Sequence, residues 1–170
     1  MLPSAAGFVD PLFSTGFVLT LLGIERLANK FACGAENALE DYERNTFQDL
    51  DQAGALVHAA YRRFRDFPAL VEVSRIYFTA AIWSETLRRL GRKPPQFLLS
   101  NEASFRDGVR QLARGEPFGQ SLEPFDLAGL TDASRRNWHS ALESDLFANA
   151  SKIPASETEI GGMLARCGFC

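Results

Sequence analysis

"SAAGFVDPLFSTGFVLTLLGIERLA", residues 4–28, joins a turn to a long apolar helix near the start of this 170-residue chain. The Asp10-Pro11 pair favours an extended or turn conformation. Ser14 is a good residue for capping a helix. Gly16 has no side chain that would keep a ligand away from the backbone. We therefore expect a tight turn that leads into a helix capped by Ser14 and running to about Lys30.

The start of this helix has the properties of a small binding site. The N–H groups of Thr15, Gly16 and Phe17 have no partner inside the helix, and they lie at the positive end of its dipole. Such a helix start favours an anion or the electron-rich edge of a ring. A capped helix that simply enters a core has the same residue pattern, so the spacing alone leaves both interpretations open.

The rest of the sequence predicts helices, and the extreme N-terminus is the only segment with β character. Apolar residues recur at helical spacing in several segments, and helix signals mark others. The expected helices are 36–67, 68–90, 101–115 with Asn101 as a possible cap, a short one from Thr131 or Asp132 that contains Trp138, and one that begins with a Ser156–Glu159 capping box and stops at Gly168. Residues 116–130 are expected to form an ordered surface loop.

The composition is that of a globular protein. Hydrophobic residues make up 46% of the chain, charged residues make up 23%, and the formal net charge is -3. This balance argues against binding to nucleic acid through bulk charge. No apolar run reaches the roughly 20 residues of a membrane span, and the first residues lack the pattern of a secretory signal. We expect a cytoplasmic protein with no membrane partner.

The sequence predicts neither a metal site nor a catalytic residue. Cys167 and Cys170 have the spacing of half a metal or redox site, but Cys33, His58 and His139 do not form a second half beside them. We interpret the cysteines as ordinary thiols. The histidines are not accompanied by the nucleophile and third partner of a catalytic triad.

The opening turn resembles a known flavin-binding segment. "AAGFVDPLFSTG", residues 5–16, is similar to the C-terminal flavin-binding segment of FAD-dependent monooxygenases of the tryptophan halogenase-like group. In that group a Gly-Asp-Ala-Ala-Gly-Phe-Val-Asp-Pro-like stretch leads into a Ser-Ser/Thr-Gly helix start. Three further stretches resemble the helical C-terminal region of halogenase-like oxidoreductases. They are "YRRFRDFPALVEVSRIYFTAAIWSETLRRLGR" (61–92), "PFDLAGLTDASRRNW" (124–138) and "MLARCGF" (163–169).

The resemblance implies a fold class and a division of the chain. The protein would be mainly α, the helical C-terminal region of an α/β FAD-binding oxidoreductase without its N-terminal dinucleotide-binding Rossmann half. Residues 1–34 would be the flavin-facing turn and helix of the FAD-binding domain, and 35–170 the helical C-terminal region. In the complete enzyme the partners would be FAD and an unknown small-molecule substrate.

The resemblance also implies which residues contact the cofactor. The turn would be shaped by its Asp-Pro pair, and the helix start would face the pyrimidine edge of the flavin through backbone N–H groups. In halogenases the Thr-Gly amides also hold a halide. The positions implied here are Asp10, Pro11, Ser14, Thr15, Gly16 and Phe17 for the cofactor, with Thr15 and Gly16 for any halide.

Two features of the sequence differ from the family pattern. Pro3-Ser4 stands where the family has Gly-Asp, whose acidic residue hydrogen-bonds the ribityl chain. The sequence also contains no G-x-G-x-x-G after a strand, the element that binds the FAD pyrophosphate. We therefore expect the chain to be inactive alone and to need an N-terminal chain or segment. The alternative is a non-catalytic helical interaction protein that retains a relic of the turn.

Overall fold

The computed structural model describes residues 3–33, 38–92, 96–127 and 142–168. Their helices are α1 (Pro3–Ala6), α2 (Thr15–Cys33), α3 (Ala38–Arg62), α4 (Phe67–Arg89), α5 (Ala103–Arg114), α6 (Leu142–Ala148) and α7 (Glu157–Arg166), with 3-10 turns at Leu12–Ser14 and Phe97–Leu99. These ranges contain no strand, which confirms the mainly α prediction. The expectation of β character at the N-terminus is wrong, because that segment forms α1.

Several predictions fall on residues outside the described ranges. These are the short helix from Thr131 or Asp132 with Trp138, the histidine at 139, the end of the 116–130 loop and the second cysteine of the terminal pair. Residues 116–127 contain no helix. This part agrees with the predicted loop.

The junction between α3 and α4 differs from the predicted one. The N–H groups of Arg63 and Phe64 donate to the carbonyls of Ala60 and Tyr61 at 3.0 and 3.2 Å and close the last turn of the helix. Helix α3 therefore ends at Arg62, five residues before the predicted end at position 67. Asp66 then adopts an extended conformation, and its carboxylate accepts the Ala69 N–H at 3.2 Å. An N-cap cannot lie inside a helix, so the cap at Asp66 separates the two helices.

The start of α5 corrects a second prediction. Asn101 is not the cap, because its Oδ1 accepts the N–H of Gln96 at 2.9 Å and so closes the preceding turn. The cap position is Glu102, whose side chain makes no capping hydrogen bond. The predicted stop is confirmed, since Gly115 has φ +92°, a conformation that favours glycine.

The core lies between α3, α4, α5 and the Phe97–Leu99 turn. Leu56, Ile76, Leu98 and Phe105 are at most 1% exposed and belong to one cluster of buried side chains. The helix α7 covers the same core with its buried Ile160. Its start is the predicted capping box, in which Ser156 and Glu159 each bond the backbone of the other. 

Helix α2 packs along α3 with one face only. Leu19 and Leu22 contact the core, whereas Phe17, Leu21 and Ile24 on the opposite face are exposed. One apolar face of α2 is therefore uncovered. Helix α4, in contrast, buries nine residues. Within the described ranges no helix combines the length and the apolar character needed to cross a membrane.

Candidate functional site

The turn that precedes α2 is held in an unusual backbone conformation. Phe13 and Ser14 have φ values of +63° and +55°, which non-glycine residues adopt infrequently. Ser14 N–H donates to the Pro11 carbonyl at 2.7 Å. An N-cap residue normally has an extended backbone, so the prediction that Ser14 caps α2 is wrong. Its side chain is exposed at the outer edge of the turn.

Asp10 ties the turn to α3. Its Oδ1 accepts the N–H of Leu12 at 3.0 Å and the phenol of Tyr61 at 2.8 Å. The bond to Asp10, with smaller contributions from burial and charge, raises the pKa of Tyr61. Both interactions fix the shape of the turn.

Thr15 faces the core and not the surface. Its side chain is fully buried, and its hydroxyl lies 3.0 Å from the Tyr77 hydroxyl and donates to the Leu12 carbonyl at 3.3 Å. Phe13 stacks on Tyr77 with ring centroids 4.4 Å apart. Burial raises the pKa of Tyr77, so its phenol remains protonated at neutral pH. The structure therefore places Thr15 in the core, with no surface open to a ligand.

A cavity of about 510 Å³ opens beside the turn, between α1, α2 and α3. Its volume lies within the range of small-molecule sites, roughly 300 to 1,000 Å³. Four of the six sequence-predicted site residues line it, whereas Asp10 and Thr15 do not. The lining residues are Ala6, Gly7, Phe8, Val9, Pro11, Ser14, Gly16, Phe17, Leu19, Thr20, Arg26, Thr46, Asp49 and Leu50.

Gly16 leaves the cavity wall open at the helix start. A Cβ built at this position would meet only the Val9 carbonyl oxygen, at 3.6 Å, which is an ordinary contact distance. The glycine is therefore not required by packing against the protein. Because Gly16 has no side chain, the backbone in the first turn of α2 is accessible from the cavity.

The opposite wall contains a buried ion pair that the sequence analysis missed. Asp49 is fully buried, its Oδ2 lies 2.5 Å from Nη2 of Arg26, and its Oδ1 accepts the Ser100 hydroxyl at 2.5 Å. Burial raises the pKa of Asp49, although the charge of Arg26 and the hydrogen bond from Ser100 act to lower it. One signal was present in the sequence. Asp49 lies seven residues after Tyr42 and four before Ala53 on the apolar stripe of α3, where an unpaired carboxylate would be costly.

The cavity beside the turn brings three features together. It has a largely apolar lining, with the start of α2 on one side and the Arg26–Asp49 ion pair on the other. In the described part of the chain, no three His, Cys, Asp or Glu side chains converge in a way that could hold a metal. Cys167 accepts a hydrogen bond from Arg89 at 2.8 Å and lies outside the cavity.

Comparison of the chain with known protein families, with curated proteins and with solved structures gave no match.

Proposed function

We propose that this chain is the C-terminal portion of a halogenase-like FAD-dependent oxidoreductase or monooxygenase and supplies contacts to the isoalloxazine ring. The observation that carries the proposal is the cavity beside the turn. It combines an accessible helix start at Gly16 with an apolar wall, and it lies at the segment whose sequence resembles the flavin-binding turn.

The residues of the chain have distinct roles in this proposal. Pro11 and Ser14 would form the rim, and the N–H groups at Gly16 and Phe17 would face the pyrimidine edge of the ring, whereas Thr15 is buried behind them. The flavin supplies the redox chemistry. The positive end of the α2 dipole stabilises negative charge on the reduced ring. The resemblance implies a halide at Thr15 and Gly16; of these two residues only Gly16 lines the cavity, so a halide, if one is used, would be held at the Gly16 amide.

The Thr15 side chain takes no part in cofactor binding. Its hydroxyl is committed to Tyr77 and Leu12, and the residue is fully buried outside the cavity lining. Asp10 also acts indirectly, because its carboxylate holds Leu12 and Tyr61 and so fixes the turn. Both residues support the turn and do not contact the ring.

We infer that the chain alone does not hold FAD tightly. The pyrophosphate normally provides much of the anchoring, through a glycine-rich turn that this sequence lacks. Purified protein should therefore show no visible absorbance from stoichiometric bound flavin. A yellow protein with one flavin per chain would contradict this part of the proposal.

Riboflavin, which lacks the pyrophosphate, tests the ring contacts directly. Equilibrium dialysis of the full chain should show weak binding, and Gly16→Val should reduce the affinity at least about tenfold, which corresponds to ~1.4 kcal/mol. The matched control is Gly91→Ala, which strains a residue at φ +66° far from the cavity and has open space around it. Equal affinity in the wild type and Gly16→Val would refute the proposal.

The exposed apolar face of α2 favours a second candidate function. A helical interaction protein that uses this face would need no flavin, and Phe17, Leu21, Ile24 and Phe31 are all at least half exposed on it. The riboflavin experiment separates the two candidates, because an interaction protein should not bind the ring at the turn.

A further inference from the structure

The outward face of α2 carries a regular row of apolar side chains. Phe17 is 70% exposed, Leu21 51%, Ile24 53% and Phe31 75%, and Ala28 between them is also exposed. We call these five residues the α2 stripe. Their successive spacings of four, three, four and three residues are those of the a and d positions of a coiled coil.

This spacing indicates that the natural partner of the stripe is another helix. A row with 4-3-4-3 spacing stays on one side of a helix and interdigitates with a similar row across the interface. The stripe contains no charged residue. Glu25, which follows Ile24, is held by Arg88 of α4 at 3.3 Å and so is directed away from a partner.

The exposed area is sufficient for a reversible interface. With about 200 Å² for a phenylalanine and somewhat less for leucine and isoleucine, the exposed fractions amount to roughly 500 Å² per chain. Full burial of both faces would remove roughly 1,000 Å² from solvent, the lower limit for a specific interface. An interface of this size predicts a dimer that dissociates on dilution, not a permanent one.

We propose that two copies of this chain pair antiparallel through the α2 stripe. With the two-fold axis between Leu21 and Ile24, Phe17 of each chain lies against Ala28 of the other, so the largest side chain meets the smallest. Phe31 lies at the end of the interface, against Ser14 of the other chain. Leu21 then lies against Ile24. A parallel pair would place Ala28 against Ala28 and leave a gap, and it would align the two helix dipoles unfavourably.

The inference goes beyond the proposed function and does not depend on it. The contacts are made by the outer face of α2, and no cofactor takes part in them. The two ideas meet only at Ser14 and Phe17, which line the cavity and also lie in the proposed interface. A chain that binds riboflavin as a monomer would overturn the dimer alone, and a dimer that does not bind riboflavin would overturn the flavin site alone.

Sedimentation equilibrium of the full chain tests the dimer. The wild type should pass from monomer to dimer between about 1 and 100 µM, the range that an interface of this size suggests. Leu21→Ser should weaken the association at least about thirtyfold, as removal of a hot-spot residue does, because Leu21 lies at the centre of the interface. Leu39→Ser is the matched control, because Leu39 is 62% exposed but lies on α3. A wild type that stays monomeric, or equal weakening by both variants, would overturn the proposal.

A mixing experiment tests the antiparallel arrangement. Leu21→Glu and Ile24→Lys should each be monomeric, since each places charge in an apolar seam, and circular dichroism should confirm that both are folded. Mixed in equal amounts they should form a heterodimer, because Glu at 21 then faces Lys at 24 and Ile24 faces Leu21. A parallel pair would leave both charges against apolar residues. A mixture that remains monomeric would overturn the proposed arrangement.

Discussion

Thr15→Val should destabilise the fold while leaving the cavity intact. Valine has nearly the shape of threonine, so the substitution removes the hydroxyl with little change in packing. Two interactions are lost, the contact with the Tyr77 hydroxyl at 3.0 Å and the bond to the Leu12 carbonyl at 3.3 Å. The Tyr77 hydroxyl would then keep only its hydrogen bond to the Phe13 carbonyl, at 3.5 Å.

The expected loss follows from these contacts. A buried hydrogen bond contributes about 1 kcal/mol net, and a partner left without a good replacement adds to the cost. We expect the free energy of unfolding to fall by about 2 kcal/mol. For a chain of 170 residues each kcal/mol shifts Tm by roughly 2–4 °C, so thermal unfolding should shift down by about 4–8 °C.

A double-mutant cycle makes this reasoning falsifiable. Tyr77→Phe removes the other hydroxyl, and the double variant Thr15→Val with Tyr77→Phe should cost less than the sum of the two single variants, because neither hydroxyl is then left without its partner. Thermal unfolding of all four proteins by circular dichroism gives the coupling. An unchanged Tm for Thr15→Val together with lost riboflavin binding would show that the hydroxyl faces the ligand and would refute the account.

Three further substitutions test the packing and the charges. Gly54→Ala should raise the free energy of unfolding by about 0.5–1 kcal/mol in denaturant titrations, because it lies inside α3 with nothing within 4 Å of an added Cβ. Gly108→Ala should lower it by about 1–3 kcal/mol, because the added Cβ would lie 2.5 Å from a ring carbon of Phe118. Burial opposes ionisation of Glu85, but hydrogen bonds from the two arginines that follow on α4 outweigh it and lower its pKa. Glu85→Gln should therefore lose less than about 1 kcal/mol at pH 7, and the difference from the wild type should vanish as the pH falls through the lowered pKa of Glu85, below 4.5.

Local signals in the sequence predicted the helices well. The capping box at Ser156 and Glu159 is formed as expected, because both partners lie within one turn. The stop at Gly115 is also correct, since a left-handed residue after a helix is a local requirement. The apolar spacing also predicted the long helices. It missed the boundary near Asp66, because the same apolar spacing is compatible with a longer α3 and does not show that Asp66 caps α4.

The details of the site depend on contacts between distant segments. Ser14 was expected to cap α2, but Thr15 is drawn into the core by Tyr77, 62 residues away, and the turn adopts positive φ values to allow this. The ion pair between Arg26 and Asp49 crosses between two helices and depends on how α2 packs on α3. Neither interaction is visible in local propensities, because both arise only when the helices pack together.

The most direct test of the flavin-contact proposal is a nuclear magnetic resonance titration of the ¹⁵N-labelled full chain with riboflavin. The account predicts that the amide signals of Thr15, Gly16 and Phe17 shift together with those of other cavity residues, and that Gly16→Val abolishes these shifts without changing the rest of the spectrum. Shifts confined to other surfaces, or no saturable shift at the start of α2, would contradict the claim that this turn contacts a flavin.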